Sequence, residues 1–430
     1  EQPAFELTAK LRQKNDELYS SLRAYFETLP QYGGKLAALD RMAERSPFEI
    51  KEKETAEKLF GKKMSLSASR VEQYYKCPFA YFCKYGLRAE PRKIAQLDPL
   101  QRGNVVHFVL EKLFFEYPVD KILAFTRDDR LSAIKGLLRE FVEEYMGGLD
   151  DKEKRFEYLY LRLADVLDEV VDRLIQELSA GKFEPVEYEL KIGSEEGIAP
   201  YEVQDKNGLT LEIRGSIDRV DRLTLGDKNY IRILDYKSSG KAFNLFEVLE
   251  GLNMQMLLYL FAVWENGQPL FGHVVPAGVL FVPVKISSVT DLDRNATAEQ
   301  IEEEKFKLGA MTGMVLADKD VILGMDSRGT GVFIPAKIKN GEPTGVLITL
   351  PELEKLKEKA DKLLLNMAQK LCNGKIPALP SESGYGALAC NYCDYKTVCR
   401  REEGMPVRTV KRIKHEEALE LLNEEEVELR

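Results

Sequence analysis

Asp235 and Lys237 stand two apart at the end of the run YIRILDYK, residues 230–237. Side chains alternate across a strand, so Ile231, Ile233, Asp235 and Lys237 share one face. An apolar strand face that turns to a carboxylate and an ammonium needs a chemical reason, because buried charge is costly unless paired or bound to metal. A polar turn over 224–229, holding Gly226 and Asp227, predicts a hairpin that brings Asp218 of the preceding run close to Asp235. Two carboxylates and a lysine suit phosphodiester hydrolysis. Mg²⁺ held by a few carboxylates neutralises phosphate charge and makes a nucleophile of water. Asp218 and Asp235 are the expected ligands, with the Tyr236 backbone carbonyl as a further oxygen. Lys237 is placed to touch the attacking water or the phosphate as a compact positive charge.

His107 lies in NVVHFVLEKLFFEY, residues 104–117, whose apolar residues predict a helix with Asn104, His107 and Glu111 as its polar stripe. Its imidazole is an acceptable, though not preferred, ligand for a hard cation. The bland alternative is a satisfied core histidine. Gln255 and Tyr259, four apart, share a face of an apolar helix expected over Phe246–Trp264, and would equally suit the polar edge of a packed helix.

Cys390, Cys393 and Cys399 have the spacing C-x₂-C-x₅-C, which points to a metal or cluster held by thiolates. A fourth ligand is required. Cys77 and Cys83 are candidates, six apart on one helix expected to start at Ser69, where Ser69 and Glu72 have capping-box spacing. Cys372, late in a helix expected over Leu353–Cys372, is the third. Four thiolates would hold zinc or an iron–sulfur cluster.

The elements that must carry these residues fall in a definite order. A charged helix is expected from Phe5 to Leu29, and another from near Lys35. After the cysteine-bearing helix and the His107 helix comes a long charged helical stretch, about Arg130–Ser179, with a break near Gly147–Asp150. Strands are expected at 186–190, 200–204, 209–222 and 230–238, and at Gly278–Val284, whose unbroken apolar run suits a sheet interior. Residues 285–350 read as irregular, with short strands and turns, and those from Met405 as a charged tail. The pattern is α/β with helical additions.

At 430 residues the chain is too long for one simple core. Apolar content of 44% and charged content of 31% describe an ordinary soluble protein, and no run is apolar enough for a membrane span. The net charge of −9 excludes a uniformly basic coat but not a local basic patch, for which the tract Lys84–Arg102 (Lys84, Arg88, Arg92, Lys93, Arg102) is a candidate. Six cysteines without a secretory signal favour metal binding in the cytoplasm over a disulfide scaffold. The chain opens at Glu1 without Met and reads as a piece of something larger. It has no G-x-x-x-x-G-K-[ST] loop and hence no recognisable ATP motor.

The set RGNVVHFVLE, GSIDRVD, DYKSS and QMLLY, in that order, resembles the PD-(D/E)xK nuclease superfamily in its RecB-like branch. The resemblance implies a Mg²⁺-dependent deoxyribonuclease with a central mixed β-sheet flanked by helices. It makes His107, Asp218 and Asp235 metal ligands and Lys237 catalytic, and has Gln255 and Tyr259 support the site and contact DNA. Within the superfamily, SASRVEQYYKCPFAYFCKYGL and the late CNYCDYKTVC are similar to the nuclease part of AddB-type subunits of bacterial helicase–nucleases. That narrower resemblance implies a [4Fe–4S] cluster on Cys77, Cys390, Cys393 and Cys399, closing the nuclease domain like a staple, with Cys83 and Cys372 as extra buried thiols. It implies an AddA-like helicase/nuclease partner in a heterodimer, and exonuclease action on single-stranded DNA during double-strand-break repair and recombination. On this reading residues 1–64 end a preceding helicase-like region, 65–404 form the nuclease domain, and 405–430 are a tail. The alternatives are a free-standing RecB-like or Cas4-like exonuclease, a catalytically silent DNA-binding scaffold, and a zinc-stapled interaction module.

Overall fold

The computed structural model describes residues 2–11, 17–43, 48–90, 99–146, 154–237, 243–284, 297, 309–399, 401 and 405–424. Two units separate along the chain, Glu1–Lys51 and Glu52–Arg430. The first holds α1 (Gln2–Leu11), α2 (Glu17–Glu27) and α3 (Gly33–Ala43). The single helix expected from Phe5 to Leu29 does not form. Phe5 packs edge-on to Phe26 with ring centres 5.1 Å apart, and against Tyr32. Along one straight helix Phe5 and Phe26 would stand about 31 Å apart. The two helices therefore fold back on each other, because burying Phe26, Tyr32 and Leu36 together outweighs helix continuity.

The second unit is built on a mixed sheet. In chain order its strands are β1 (Lys63–Ser67), β2 (Glu184–Ile192), β3 (Tyr201–Gln204), β4 (Thr210–Leu225), β5 (Lys228–Lys237), β6 (Val274–Pro283) and β7 (Thr312–Leu316). A small hairpin, β8 (Ala336–Lys339) and β9 (Glu342–Gly345), precedes β10 (Leu347–Ile348). β4 is the spine. Its first residues pair with β1 in parallel and with β3 antiparallel; the rest pairs antiparallel with β2 and β5. β5 continues in parallel to β6, then β6 antiparallel to β7, then β7 in parallel to β10. The expected hairpin is present, with Leu225 opposite Lys228 across Gly226 and Asp227.

Helices cover both faces. Up to β6 they are, in order, α4 (Lys53–Phe60), α5 (Ala68–Lys76), α6 (Pro78–Tyr81), α7 (Pro99–Glu116), α8 (Val119–Leu123), α9 (Arg127–Met146), α10 (Lys154–Ala180), α11 (Leu245–Leu249) and α12 (Gln255–Asn266), with the short helix Gln268–Phe271 after it; further helices follow the later strands. Leu110 of α7, Leu138 of α9 and Leu167 of α10 form one core with Leu223, Leu234, Tyr236 and Leu280 of the sheet. By alternation Ile231, Ile233 and Asp235 face the other way, toward α12, which packs across β3 to β6. Parallel β5 and β6 need a crossover, and α11 and α12 supply it.

Several local expectations are corrected. The apolar run 246–264 is two helices, because Gly251 (φ +80°) and Asn253 (φ +55°) turn the chain between them. A Cβ at Gly251 would lie 2.3 Å from the Tyr75 ring, so the break is fixed by packing. The Ser69–Glu72 capping box does not form. Pairing of β1 with β4 holds the chain extended through Ser67, so α5 starts at Ala68 and Ser69 already lies in its first turn. Cys77 and Cys83 do not share a helix. Pro78 keeps the residue before it extended (Cys77 φ −168°, ψ 116°), which ends α5 at Lys76. A capping box does form at Thr349 and Glu352, starting the helix Leu350–Cys372 three residues ahead of expectation.

The expected break near Gly147–Asp150 falls between α9 and α10 and lies outside the described residues, as do Arg92 and Lys93 of the basic tract. The unit boundary also differs from the expected 64/65. α4 packs on the helix Leu350–Cys372 and so belongs with the second unit. Within the expected charged tail, residues 405–424 are described and pack on the unit. β12 (Arg408–Thr409) pairs in parallel with β11 (Ser381–Glu382), and the helix His415–Glu424 buries Ala418 and Leu422.

Candidate active site

Backbone pairing of β4 with β5 ends at Arg219 opposite Leu234. One step further Asp218 and Asp235 face each other. Here the Tyr236 amide donates to Asp218 Oδ2 at 2.7 Å, so a carboxylate takes the place of a strand carbonyl. From α7, His107 Nδ1 lies 3.3 Å from the same Oδ2, with its ring edge-on to Tyr236. Burial works against charge on the imidazole. The bond to Asp218 and the field of Asp218, Asp235 and Glu189 outweigh it and raise the His107 pKa.

Asp235 is 4% exposed. Its Oδ1 accepts from Gln255 Nε2 at 3.3 Å. Lys237 Nζ is 2.6 Å from Oδ2, a close ion pair on the same strand face, and Oδ2 has no other polar partner among the described residues. Burial and the charge of Asp218 push the Asp235 pKa up to about 6 against the pull of Lys237. Gln255 opens α12, and its amide faces the buried Glu72 of α5 at 3.4 Å. One turn on, the Tyr259 hydroxyl sits where a Cβ on residue 215 would be, 2.1 Å from that position. This is why glycine begins the stretch GSID. Burial, with Asp235 and Asp218 adding to it, pushes the Tyr259 pKa up to about 12, so the phenol keeps its proton.

Glu189 was missed in the sequence. Ligand atoms of His107, Glu189 and Asp218 all lie within 4.8 Å of one another. Glu189 sits in β2 between Tyr188, paired with Arg219, and Leu190, paired with Ile217, and has φ +48°. Left-handed backbone on a non-glycine residue inside a strand is strained and persists only when its surroundings fix it. Ser216 Oγ donates to its carboxylate at 2.7 Å and Lys191 Nζ lies 3.3 Å away. In VEYEL it looks like one of two outward polar residues, and nothing in the sequence marks the left-handed turn. Carboxylate oxygens of Asp218, Glu189 and Asp235 with one imidazole form a ligand set that fits a hard divalent cation.

A second charged group missed in the sequence lies on the opposite face of the hairpin. Arg219, Asp221, Arg232 and Glu177 of α10 are all buried. Arg219 clasps Asp221 through Nε and Nη2, both at 2.7 Å, and Arg232 Nη2 reaches Asp221 at 2.7 Å and Glu177 at 2.5 Å. Burial alone would raise the Asp221 pKa, but the two guanidiniums lower it. The signal was available, since Arg219, Asp221 and Arg232 interrupt otherwise apolar strand positions.

Cys77, Cys390, Cys393 and Cys399 line one cavity of about 510 Å³, with Lys84 and Arg401 among its other walls. All four are free thiols. Burial, with Cys399 and Cys393 adding to it, pushes the Cys77 thiol up to about 11 despite amides from Ala80 and Phe79. Cys83 is buried just outside this lining, near enough to feel Cys393 and Cys399. Cys372 is remote and donates to the Gly61 carbonyl at 3.4 Å. Four convergent thiols in a partly open cavity fit a thiolate-held metal or cluster.

A profile of the PD-(D/E)XK nuclease superfamily matches residues 65–400. Among curated proteins the chain is 33% identical over 384 residues to the B-type subunit of an ATP-dependent helicase/deoxyribonuclease from Clostridium novyi, an alignment covering 86% of this chain and 34% of the relative. It is 31% identical over 417 residues to the protein of that name in Ruminiclostridium cellulolyticum, covering 93% of this chain and 36% of the relative. It is 32% identical over 451 residues to that of Acetivibrio thermocellus, covering 99% of this chain and 39% of the relative. The chain thus spans little more than a third of these relatives.

Proposed function

The chain belongs to the PD-(D/E)XK nuclease superfamily, and from that premise we propose that it is a Mg²⁺-dependent deoxyribonuclease. Its substrate is single-stranded DNA unwound by an AddA-like helicase/nuclease partner, in double-strand-break repair and recombination in the cytoplasm. The observation that carries the reading is the convergence of His107, Glu189 and Asp218 on one point, beside the Asp235–Lys237 pair. The relatives' name, one subunit of a helicase/deoxyribonuclease, supports DNA as substrate and a second subunit as partner.

Asp218, Asp235 and His107 would hold the ion, with Glu189 and the Tyr236 carbonyl as further donors. When bound, Mg²⁺ supplies charge neutralisation at the phosphate and acidifies water. Gln255 fixes Asp235 through Oδ1, while Oδ2 meets only the Lys237 ammonium. Lys237 Nζ, held on the same face, orients the water or the phosphate oxygen. Tyr259 keeps its proton and offers a hydroxyl donor beside the two aspartates.

We further propose that Cys77, Cys390, Cys393 and Cys399 hold a [4Fe–4S] cluster with a structural role. Zinc would fill the same four thiolates but would leave the protein colourless near 400 nm.

The test is cleavage of end-labelled single-stranded DNA with and without Mg²⁺, with Asp235→Ala alongside. Mg²⁺-dependent cleavage by the parent that disappears in the variant is expected. Equal cleavage by both would remove the chemistry from this site.

A further inference from the structure

We propose that Tyr385 and Arg412 form a stacking platform that receives single-stranded DNA on its way to the active site; this rests on the nuclease reading above. Tyr385 is 56% exposed, yet it is held in place. The Arg412 guanidinium lies over its ring, 4.6 Å from the centre, and the Phe246 ring is 6.4 Å away at 52°. Its hydroxyl donates to Asn244 Oδ1 at 3.3 Å. Asn244 is the N-cap of α11. The segment it belongs to runs from Lys237 at the end of β5 to Gln255 at the start of α12, so the pair stands on the chain that links two site residues.

The loop carrying Tyr385 is built to present it. Ser383 Oγ accepts from the amides of Tyr385 at 3.3 Å and Ala387 at 3.2 Å. Gly386 supplies the left-handed turn at φ +75°. A Cβ on Gly384 would meet Arg412 Cβ at 2.8 Å and its Cα and N at 3.0 Å, so the loop lies flush on the Arg412 backbone. The two side chains are thus mounted on backbones in direct contact.

Cations beside the pair suit phosphate contacts. Lys411, Arg412 and Lys414 are exposed and have no carboxylate partner among the described residues. Of the nearby acids, Glu250 pairs with Arg408 at 2.7 Å and Glu382 accepts from Thr409 at 3.3 Å, while Glu416 and Glu417 lie in the first turn of the helix that follows. Lys411, Arg412 and Lys414 thus set three cations without a carboxylate partner among the described residues beside the ring. A fixed, half-exposed aromatic ring beside unpaired cations is the arrangement by which single strands are held, with the ring stacking on a base and the cations on phosphates. Bases inside a duplex are not open to such stacking, so the occupant is a single strand.

Binding of a labelled oligothymidylate, followed by fluorescence anisotropy in the 430-residue chain carrying Asp235→Ala to keep the strand whole, tests this. Tyr385→Leu is expected to weaken binding about tenfold, while Tyr385→Phe, which keeps the ring, stays within about twofold. Arg412→Gln is expected to weaken binding and lower the salt slope by about one. A Leu variant that binds as tightly as the ring-bearing forms would overturn the platform and leave the nuclease reading standing if the parent still cleaves. A Phe variant as weak as Leu at unchanged thermal midpoint would also overturn it, since the hydroxyl and not the ring would then matter. A parent that neither binds nor cuts single strands would bring down both.

Discussion

Asp218 takes the amide hydrogen of Tyr236 at 2.7 Å, so one carboxylate serves as the next rung of the β4–β5 ladder and as the acceptor facing His107. The two tasks separate by substitution. Asp218→Asn keeps an oxygen for the Tyr236 amide and loses the charge. Cleavage is expected to fall about 100-fold or more, as for loss of a metal-site group, with stability in urea changed by less than about 1 kcal/mol. Asp218→Ala also strands a buried amide and should cost a further ~1–3 kcal/mol. An Asn variant with full cleavage would take Asp218 out of the chemistry.

Gly215 and Tyr259 form a second coupled pair. The space a Cβ would need is filled by the phenol, with Oη at 2.1 Å and Cζ at 2.4 Å. Gly215→Ala is expected to cost about 1–3 kcal/mol through overpacking and to displace Tyr259 from the aspartates. In a Tyr259→Leu background the same alanine should cost much less, giving a coupling of about 1 kcal/mol or more by urea unfolding. Additive costs would mean that the strand moves aside without touching the ring.

Much of this site was legible because its carriers are regular. Period-two alternation with Gly226 and Asp227 located the hairpin, and i, i+4 spacing put Gln255 and Tyr259 on one face. The structure brings His107, Asp218, Asp235, Lys237, Gln255 and Tyr259 into one neighbourhood. What stayed hidden depends on contacts between distant segments. The run 246–264 is apolar throughout, and only the Tyr75 ring against Gly251 explains its break. Glu189 joins the site through a left-handed backbone that no residue type announces. Pro78, by contrast, was visible and already ends a helix at Lys76.

The four buried charges behind the hairpin predict an asymmetric response to mutation. Arg232 reaches both Asp221 and Glu177. Arg232→Met leaves two carboxylates facing one guanidinium with no access to water, and is expected to cost about 3–5 kcal/mol. Replacing Glu177 as well, as Glu177→Gln with Arg232→Met, restores balance with Arg219 and Asp221 and should recover part of the loss. Chemical denaturation of the single and double variants reads this directly. A double variant weaker than the sum of its singles would refute charge balance as the cause.

Asp326 gives a pH dependence away from the site. It is fully buried, and its oxygens accept from the amides of Arg328, Thr330 and Gly331 and from the Thr330 hydroxyl. Burial alone would raise its pKa, but these donors lower it below the usual carboxylate value. A folded-state pKa below the unfolded one contributes stability above the unfolded value, near about 3.9, which is lost as pH falls through the folded value. Asp326→Asn should therefore be less stable than the parent at neutral pH, with the gap closing below about pH 4. A gap that stays constant down to about pH 2 would show that shape, not charge, holds this turn.

The cysteine cavity predicts which thiols matter. Cys77 lies at the junction of α5 and α6, whereas Cys390, Cys393 and Cys399 come near the end of the unit, so a group bound by all four closes nearly the whole unit into a ring. In the chain-entropy picture a crosslink over so long a loop stabilises by up to about 5 kcal/mol. Cys393→Ser is expected to abolish absorbance near 400 nm, lower the iron content and lower the thermal midpoint. Chelation of the parent should do the same. Cys83→Ser and Cys372→Ser should keep colour and iron, since neither thiol lines the cavity. Loss of colour in Cys83→Ser with Cys77→Ser still loaded would move the fourth ligand to Cys83. Cys393→Ser with full iron and an unchanged midpoint would end the staple.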